Sequence, residues 1–143
     1  MVTVPDRYDD IDEFATIKEL LEPAGFGSIS ITTAEKHDEI IAFTSQLAHV
    51  VSNAYMKSPR AGRHKGFSAG SYRDLTRVAR LSEDMWSELF LDNSDNLVNE
   101  LDDLIENLKE YRDMIEDGDR EGLRESLAEG SRIKTEIDGS GEN

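Results

Sequence analysis

Residues 66–86 read GFSAGSYRDLTRVARLSEDMW. The glycines at 66 and 70 free the backbone. Ser71 can cap a helix, predicted over Tyr72–Leu81, whose first-turn N–H groups then face whatever lies over Gly70. Arg73 and Arg77 are four apart and share a face of that helix. Free N–H groups beside guanidinium ions suit a carboxylate or phosphate. Asp74 lies three residues before Arg77, where it either orients that guanidinium or forms an exposed pair of little energetic weight. The stretch belongs to the one basic segment of an acidic chain. Residues 57–80 hold seven Lys or Arg and one Asp, a charge of +6, while the whole chain carries −15. A local field opposite in sign to the whole attracts a small anion better than a polyanion. The plainer alternative is a solvated basic loop followed by an ordinary surface helix.

Upstream, Thr32-Thr33-Ala34-Glu35 forms a capping box, with Thr32 as N-cap and Glu35 as its partner. A long helix should follow, to about Met56, before Ser58-Pro59. Ile40, Phe43, Leu47, Val50 and Ala54 recur at 3-4-3-4 spacing and form its apolar seam. Ser45, Gln46, His49, Ser52 and Asn53 line another stripe. Small neutral polar groups, in so charged a chain, suit a partly buried pocket wall or a helix interface. His37 sits in the first turn beside Asp38. His64 falls in the loop RAGRHKG, where solvation is the expected state, and the three His are too widely spaced for a metal site.

Downstream, Ser82 is placed to cap a short helix that opens with Glu83-Asp84 and carries Trp86. Trp86 suits stacking on a ligand or on Arg, or a role as a core anchor. Asn93 or Ser94 starts a long helix to about Asp117. Leu97, Leu101, Leu104, Leu108, Tyr111 and Ile115 repeat along it at 4-3-4-3-4, a seam that wants another helix. Gly118 ends it and Asp119 caps the next, with Leu123 and Leu127 inward. Residues 138–143 read as a polar, flexible tail.

Residues 1–31 have a different character. Val2-Thr3-Val4 is a short β-type run closed by Pro5. Phe14, Ile17, Leu20 and Leu21 predict a helix near 10–22, stopped by Pro23 and Gly25. Ser28-Ile29-Ser30-Ile31 alternates like a strand. GFGSIS has the outline of a dinucleotide fingerprint, yet it follows a helix and opens a strand, the reverse of what phosphate binding requires. Two short strands around one helix do not make a stable sheet. The segment reads as the last β-α-β piece of a doubly wound domain.

Composition bounds the rest. The chain has 143 residues, 37% hydrophobic and 33% charged, enough for one domain with a core. No apolar run reaches the roughly 20 residues of a membrane helix. The absence of cysteine excludes disulfides and thiolate metal sites and fits the cytoplasm. The net charge argues against nucleic acid and anionic membranes as partners.

D-L-T-R-V-A-R-x-x-x-x-M-W, preceded by G-F-S-A-G, resembles the C-terminal helical domain of the prephenate dehydrogenase family. TTAEKHDEIIAFTSQLAHVVSNAY is similar to that family's H-D…S-H-L-P-H segment: His37-Asp38 match its first pair and His49 its last histidine, while Gln46 stands for its more common first histidine and Ala48 for its proline. The resemblance implies a mainly α fold of the 6-phosphogluconate dehydrogenase C-terminal-like type, helical and dimerising over 32–137, with residues 1–31 a β-α-β remnant of a nicotinamide-binding domain. It implies the oxidative decarboxylation of prephenate to 4-hydroxyphenylpyruvate in tyrosine biosynthesis, using NAD or NADP. By that resemblance His49, Gly70, Arg77 and Trp86 bind substrate, and Asp74, Arg73 and Gln46 support them. The general base and the cofactor loop lie in the domain that this chain lacks, so it should bind no cofactor and be inactive alone. The expected partners are a second copy of the chain and prephenate or a similar dicarboxylate. Prephenate and arogenate are not distinguished. A purely structural helical dimer and a small-anion-binding regulatory domain are the alternatives.

Overall fold

The computed structural model describes residues 1–5, 11–25, 29–67 and 69–140. The chain is mainly α-helical, with one two-stranded parallel sheet. It divides into two compact units, residues 1–100 and 101–143.

In the first unit, β1 (Val2–Thr3), α1 (Ile11–Leu21) and β2 (Ser30–Ile31) form a β-α-β element. Val2 pairs with Ser30 and Thr3 with Ile31. A 3-10 turn at Glu22–Ala24, with Pro23 in its first positions, ends α1, and Gly25 closes it at φ 73°. That left-handed conformation is one glycine adopts without strain. Residues 26–28, the centre of the GFGSIS stretch, lie outside the described residues.

The long helix predicted from Thr32 to Met56 is broken into three parts. They are α2 (Ala34–Ile41), a π turn (Ala42–Leu47) and α3 (Ala48–Met56). Its N-cap is Thr33, not Thr32: Thr33 Oγ1 accepts from the Lys36 amide at 3.2 Å. Thr32 is already engaged, donating its own N–H to the Thr3 carbonyl as the β ladder ends. The π turn was not read from the sequence. Carbonyls around this turn accept side-chain donors, two of them in addition to a backbone amide: Asp38 O also takes the Ala42 N–H, and Ser45 O the Ala48 N–H. Asp38 O takes a bond from Asn93 Nδ2, Ile40 O from Thr44 Oγ1, and Ser45 O from His49 Nδ1. Side-chain donors of this kind compete with the regular ladder.

The turn also redistributes burial. Ile40 and Phe43, expected on the inward seam, are 48% and 60% exposed, whereas Ala42, Gln46, Leu47 and Ser52 are buried. The polar stripe, not the whole apolar seam, packs within the unit.

A 3-10 turn at Ala61–Arg63 and Gly66, at φ 86°, lead toward α4 (Gly70–Thr76). This helix is shorter than the Tyr72–Leu81 expected, and its N-cap is Ala69, with Ser71 inside the first turn. The chain then runs through a turn closed by the Ala79 amide on the Thr76 carbonyl. Ser82 is the N-cap residue of α5 (Glu83–Asp92), although its hydroxyl makes no capping bond. His64 is not merely solvated. Its ring stacks on Tyr72 at 4.6 Å, and the Tyr72 hydroxyl donates to Met56 Sδ.

α6 (Ser94–Asp117) starts and ends where the sequence predicts. Leu97 is buried in the first unit. In the second unit Leu101, Leu104 and Tyr111 are half-buried, whereas Leu108 and Ile115 are exposed. Gly118 turns the chain at φ 68°, and Asp119 caps α7 (Arg120–Ser140) by accepting from the Gly122 amide at 2.9 Å. Leu123 is half-buried, but Leu127, read as inward, is exposed. α7 continues through Ser140, into the stretch read as tail. No helix among the described residues is long and apolar enough to cross a membrane.

Candidate functional site

The polar stripe of the π turn and α3 has a definite task. A helix leaves its last four carbonyls without intrahelical partners. Ser52, fully buried, donates from Oγ to the Leu75 carbonyl near the end of α4 at 2.7 Å. Asn53 donates from Nδ2 to the Ala79 carbonyl at 3.0 Å. Gln46 donates from Nε2 to the Leu89 carbonyl near the end of α5 at 2.9 Å, and its Oε1 accepts from Asn93 Nδ2 at 2.9 Å. Short neutral donors satisfy these half-buried carbonyls without bringing a charge out of water. The stripe is therefore a helix interface, one of the two roles its composition suits.

His49 occupies the same face, between Gln46 and Ser52. Its ring stacks on Trp86 of α5, with centroids 4.0 Å apart and planes 28° apart, and Trp86 meets Phe90 at 5.3 Å. Both His49 and Trp86 are half-buried. Nδ1 of His49 lies 2.8 Å from the Ser45 carbonyl. A carbonyl only accepts, so Nδ1 carries the proton and Nε2 is the acceptor of the neutral ring. The Ser45 carbonyl thus selects the tautomer of this histidine, and Trp86 sets the packing of its ring.

Arg77 follows α4 directly. It lines an open cleft of about 540 Å³ with Met56, Thr76, Ala79 and Arg80. Its side chain is exposed and makes no hydrogen bond or ion pair among the described residues; Asp74 does not pair with it. Arg73 is exposed on α4 and is not among the residues lining this cleft, whereas Arg80 is. Gly70 opens α4, and a Cβ added there would meet nothing within 4 Å. No hydrogen bond or ring contact among the described residues joins Arg77 to the His49–Trp86 pair. The two are tied through α3, because Ser52 and Asn53, one turn beyond His49, hold the backbone on either side of Arg77.

The sequence reading missed three participants. Arg80 and Met56 line the cleft, and Asn93 links Gln46 to Asp38. Arg80 was legible as a basic residue three beyond Arg77. Asn93 shows in the sequence only as a helix starter. No group of His, Asp and Glu among the described residues is arranged to hold a metal ion. The connection from β1 to α1, Val4-Pro5-Asp6-Arg7-Tyr8-Asp9-Asp10, has no glycine and three acids. It does not fit the diphosphate of a dinucleotide, which needs a close glycine backbone and a helix N-terminus free of negative charge.

Residues 33–129 match the family described as prephenate dehydrogenase, dimerization domain. The chain is 33% identical over 141 residues to the cyclohexadienyl dehydrogenase of Zymomonas mobilis, covering 94% of this chain and 47% of that protein. Two solved structures share the fold. The arogenate dehydrogenase of Synechocystis superposes with a TM-score of 0.74 at 24% identity, covering 94% of this chain and 51% of that one. The prephenate dehydrogenase of A. aeolicus, solved with hydroxyphenyl propionate and NAD+, superposes with a TM-score of 0.73 at 25% identity, covering 95% and 49%. The chain thus spans between about a third and about half of the length of the relatives it matches. Because that family match spans more than half of the 143 residues, and the helical fold agrees with it, the chain belongs to the prephenate dehydrogenase family and carries its dimerization domain.

Proposed function

We propose that this chain is the dimerisation and substrate-binding part of a nicotinamide-dependent dehydrogenase of the cytoplasm, acting on prephenate to form 4-hydroxyphenylpyruvate. The observation that carries this reading is Arg77, an exposed arginine without a carboxylate partner among the described residues, at an open cleft in a chain of net charge −15. Arg77 is assigned one carboxylate of prephenate. His49 takes a hydrogen bond at Nε2 from a ligand hydroxyl, Trp86 packs against the ligand ring, and Gly70 leaves room over the start of α4. Gln46 positions α5, and Arg73 and Asp74 set the charge around the cleft. A bound nicotinamide supplies the hydride acceptor, NAD or NADP. The residues that hold it, and the general base that takes the ring hydroxyl proton as carbon dioxide leaves, are assigned to protein outside these 143 residues.

Thermal denaturation tests the reading. Prephenate at about a hundred times its Kd should stabilise the chain by about 2.7 kcal/mol, and pyrophosphate at equal concentration should do less. No nicotinamide reduction should accompany binding by the pure chain. A larger shift with pyrophosphate would favour a phosphate-binding regulatory module, and no shift with either would leave a purely structural dimer.

We also propose a homodimer. Ile40 and Phe43 in the first unit, and Leu108, Ile115 and Leu127 in the second, are exposed apolar residues on amphipathic helices. Light scattering should give twice the chain mass of 16.1 kDa. A monomer at tens of micromolar, an order-of-magnitude concentration for weak association, would contradict it.

A further inference from the structure

Acids outnumber bases 31 to 16 in this chain, so an exposed cation readily finds a carboxylate. Lys36, Lys109, Arg112, Arg124, Arg132 and Lys134 do so, while Arg120 does not among the described residues. None of the seven Lys and Arg side chains from Lys57 to Arg80 does, among the described residues. Of these seven, two line one cleft: Arg77 and Arg80. The backbone between them is held. The Ala79 amide closes a turn on Thr76, and Asn53 anchors the Ala79 carbonyl. The pair is therefore presented by a braced turn rather than by a loose loop, with the Met56 side chain as an apolar wall.

Two arginines lining one cleft have a chemical consequence. Each offers a planar fork that matches a carboxylate. Together they attract a doubly charged anion and repel an ammonium group brought between them. Resting on the prephenate reading above, we propose that Arg80 is a second carboxylate anchor beside Arg77. The pair then makes the cleft prefer the keto acid prephenate, with two carboxylates and no cation, over its amino-acid counterpart arogenate, in which an ammonium group replaces the keto oxygen. This assigns Arg80 a role in substrate specificity that its neighbour Arg77 does not fill alone.

Calorimetric titration of the protein and of its Arg80→Ala and Arg77→Ala variants, with prephenate, arogenate and hydroxyphenyl propionate, tests this. Arg80→Ala should weaken prephenate about tenfold, the scale of one charge-assisted hydrogen bond. It should leave hydroxyphenyl propionate, which has a single carboxylate, within about twofold, and narrow the preference for prephenate over arogenate. Arg80→Lys should keep most of the discrimination against arogenate, because the repelling charge remains. Equal losses for all three ligands on Arg80→Ala would overturn the proposal, since the charge would then act diffusely. Unchanged prephenate affinity on Arg80→Ala, with a loss on Arg77→Ala, would overturn Arg80's role alone. A protein that binds none of the three, or is indifferent to Arg77→Ala, would overturn the parent reading as well. Unaltered melting temperatures of the variants keep these outcomes separate from misfolding.

Discussion

Replacing Arg77 with alanine should weaken prephenate binding by about 1.5–3 kcal/mol, roughly ten- to a hundredfold, and leave the folded state almost as stable as before. Both halves of this expectation come from the same observation. Arg77 is exposed and makes no ion pair or hydrogen bond among the described residues, so its removal costs the fold no partner. Its neighbours are held by other groups, Leu75 by Ser52 and Ala79 by Asn53. What the guanidinium can do is meet a carboxylate in the cleft, with two parallel N–H bonds that a lysine cannot reproduce. Arg77→Lys should therefore lose part of the affinity despite keeping the charge. Arg60 serves as the comparison, a basic residue of the same segment that does not line the cleft. Calorimetry should show Arg60→Ala close to the parent protein. Equal losses at 60 and 77 would mean a diffuse field and no site, and an Arg77→Ala protein that unfolds would mean that the side chain is structural.

The second large effect is on stability, at Gln46. This side chain is 5% exposed and satisfies two groups at once, the Leu89 carbonyl and a proton of the Asn93 amide. Leucine has similar bulk and no polar atom. Gln46→Leu would strand the carbonyl near the end of α5 in a half-buried place, and an unsatisfied buried group costs about 1–3 kcal/mol. Asn93 retains the Asp38 carbonyl as an acceptor, so its loss is partial. The expected total is about 2–4 kcal/mol, a fall of several degrees in Tm for a domain this size. Gln46→His should be milder, since an imidazole N–H can still reach a carbonyl, and a histidine is more common here in the family that the sequence resembles. Chemical denaturation with unchanged slope would show the loss cleanly. A Gln46→Leu protein that melts with its parent would remove Gln46 from the frame of the site.

Helix positions were legible from the sequence because they rest on local rules. Gly118 and Asp119 mark the α6–α7 turn by a left-handed glycine and a side-chain cap, and both act as expected. The β-α-β pairing at the N-terminus followed from two β-type runs around a helix closed by Pro23 and Gly25. Caps were less legible. Thr32 and Thr33 are equivalent by type, and only the ladder bond from Thr32 to Thr3 decides between them. Ser71 lost the N-cap position to Ala69, which has no side-chain oxygen, because the chain enters α4 from an extended conformation two residues earlier. The inward and outward faces of the long helix were misassigned for a different reason. A seam counted at 3.6 residues per turn assumes an unbroken α ladder, and Ile40 and Phe43 precede or enter the π turn while Leu47 ends it. In the candidate site, types were legible and distances were not. His49 and Trp86 are 37 residues apart in sequence and stack in space, and nothing local announces that. Arg77 was singled out with Arg73 by spacing on a helix that ends at Thr76, one residue too soon for the spacing to govern.

The π turn at Ala42–Leu47 also separates two kinds of sequence change. A turn of this kind closes i→i+5 bonds, so it takes up one residue more than an α turn for nearly the same rotation about the axis. Loss of one residue within it is absorbed as the ladder returns to α spacing, and His49, Ser52 and Asn53 keep facing Trp86, Leu75 and Ala79. Loss of one residue within α3 has no such slack. Each residue of an α-helix turns about 100° around the axis, so every contact beyond the gap would be carried away from its partner. The stack and the two anchoring bonds thus tolerate a change of length in one stretch and not in the next.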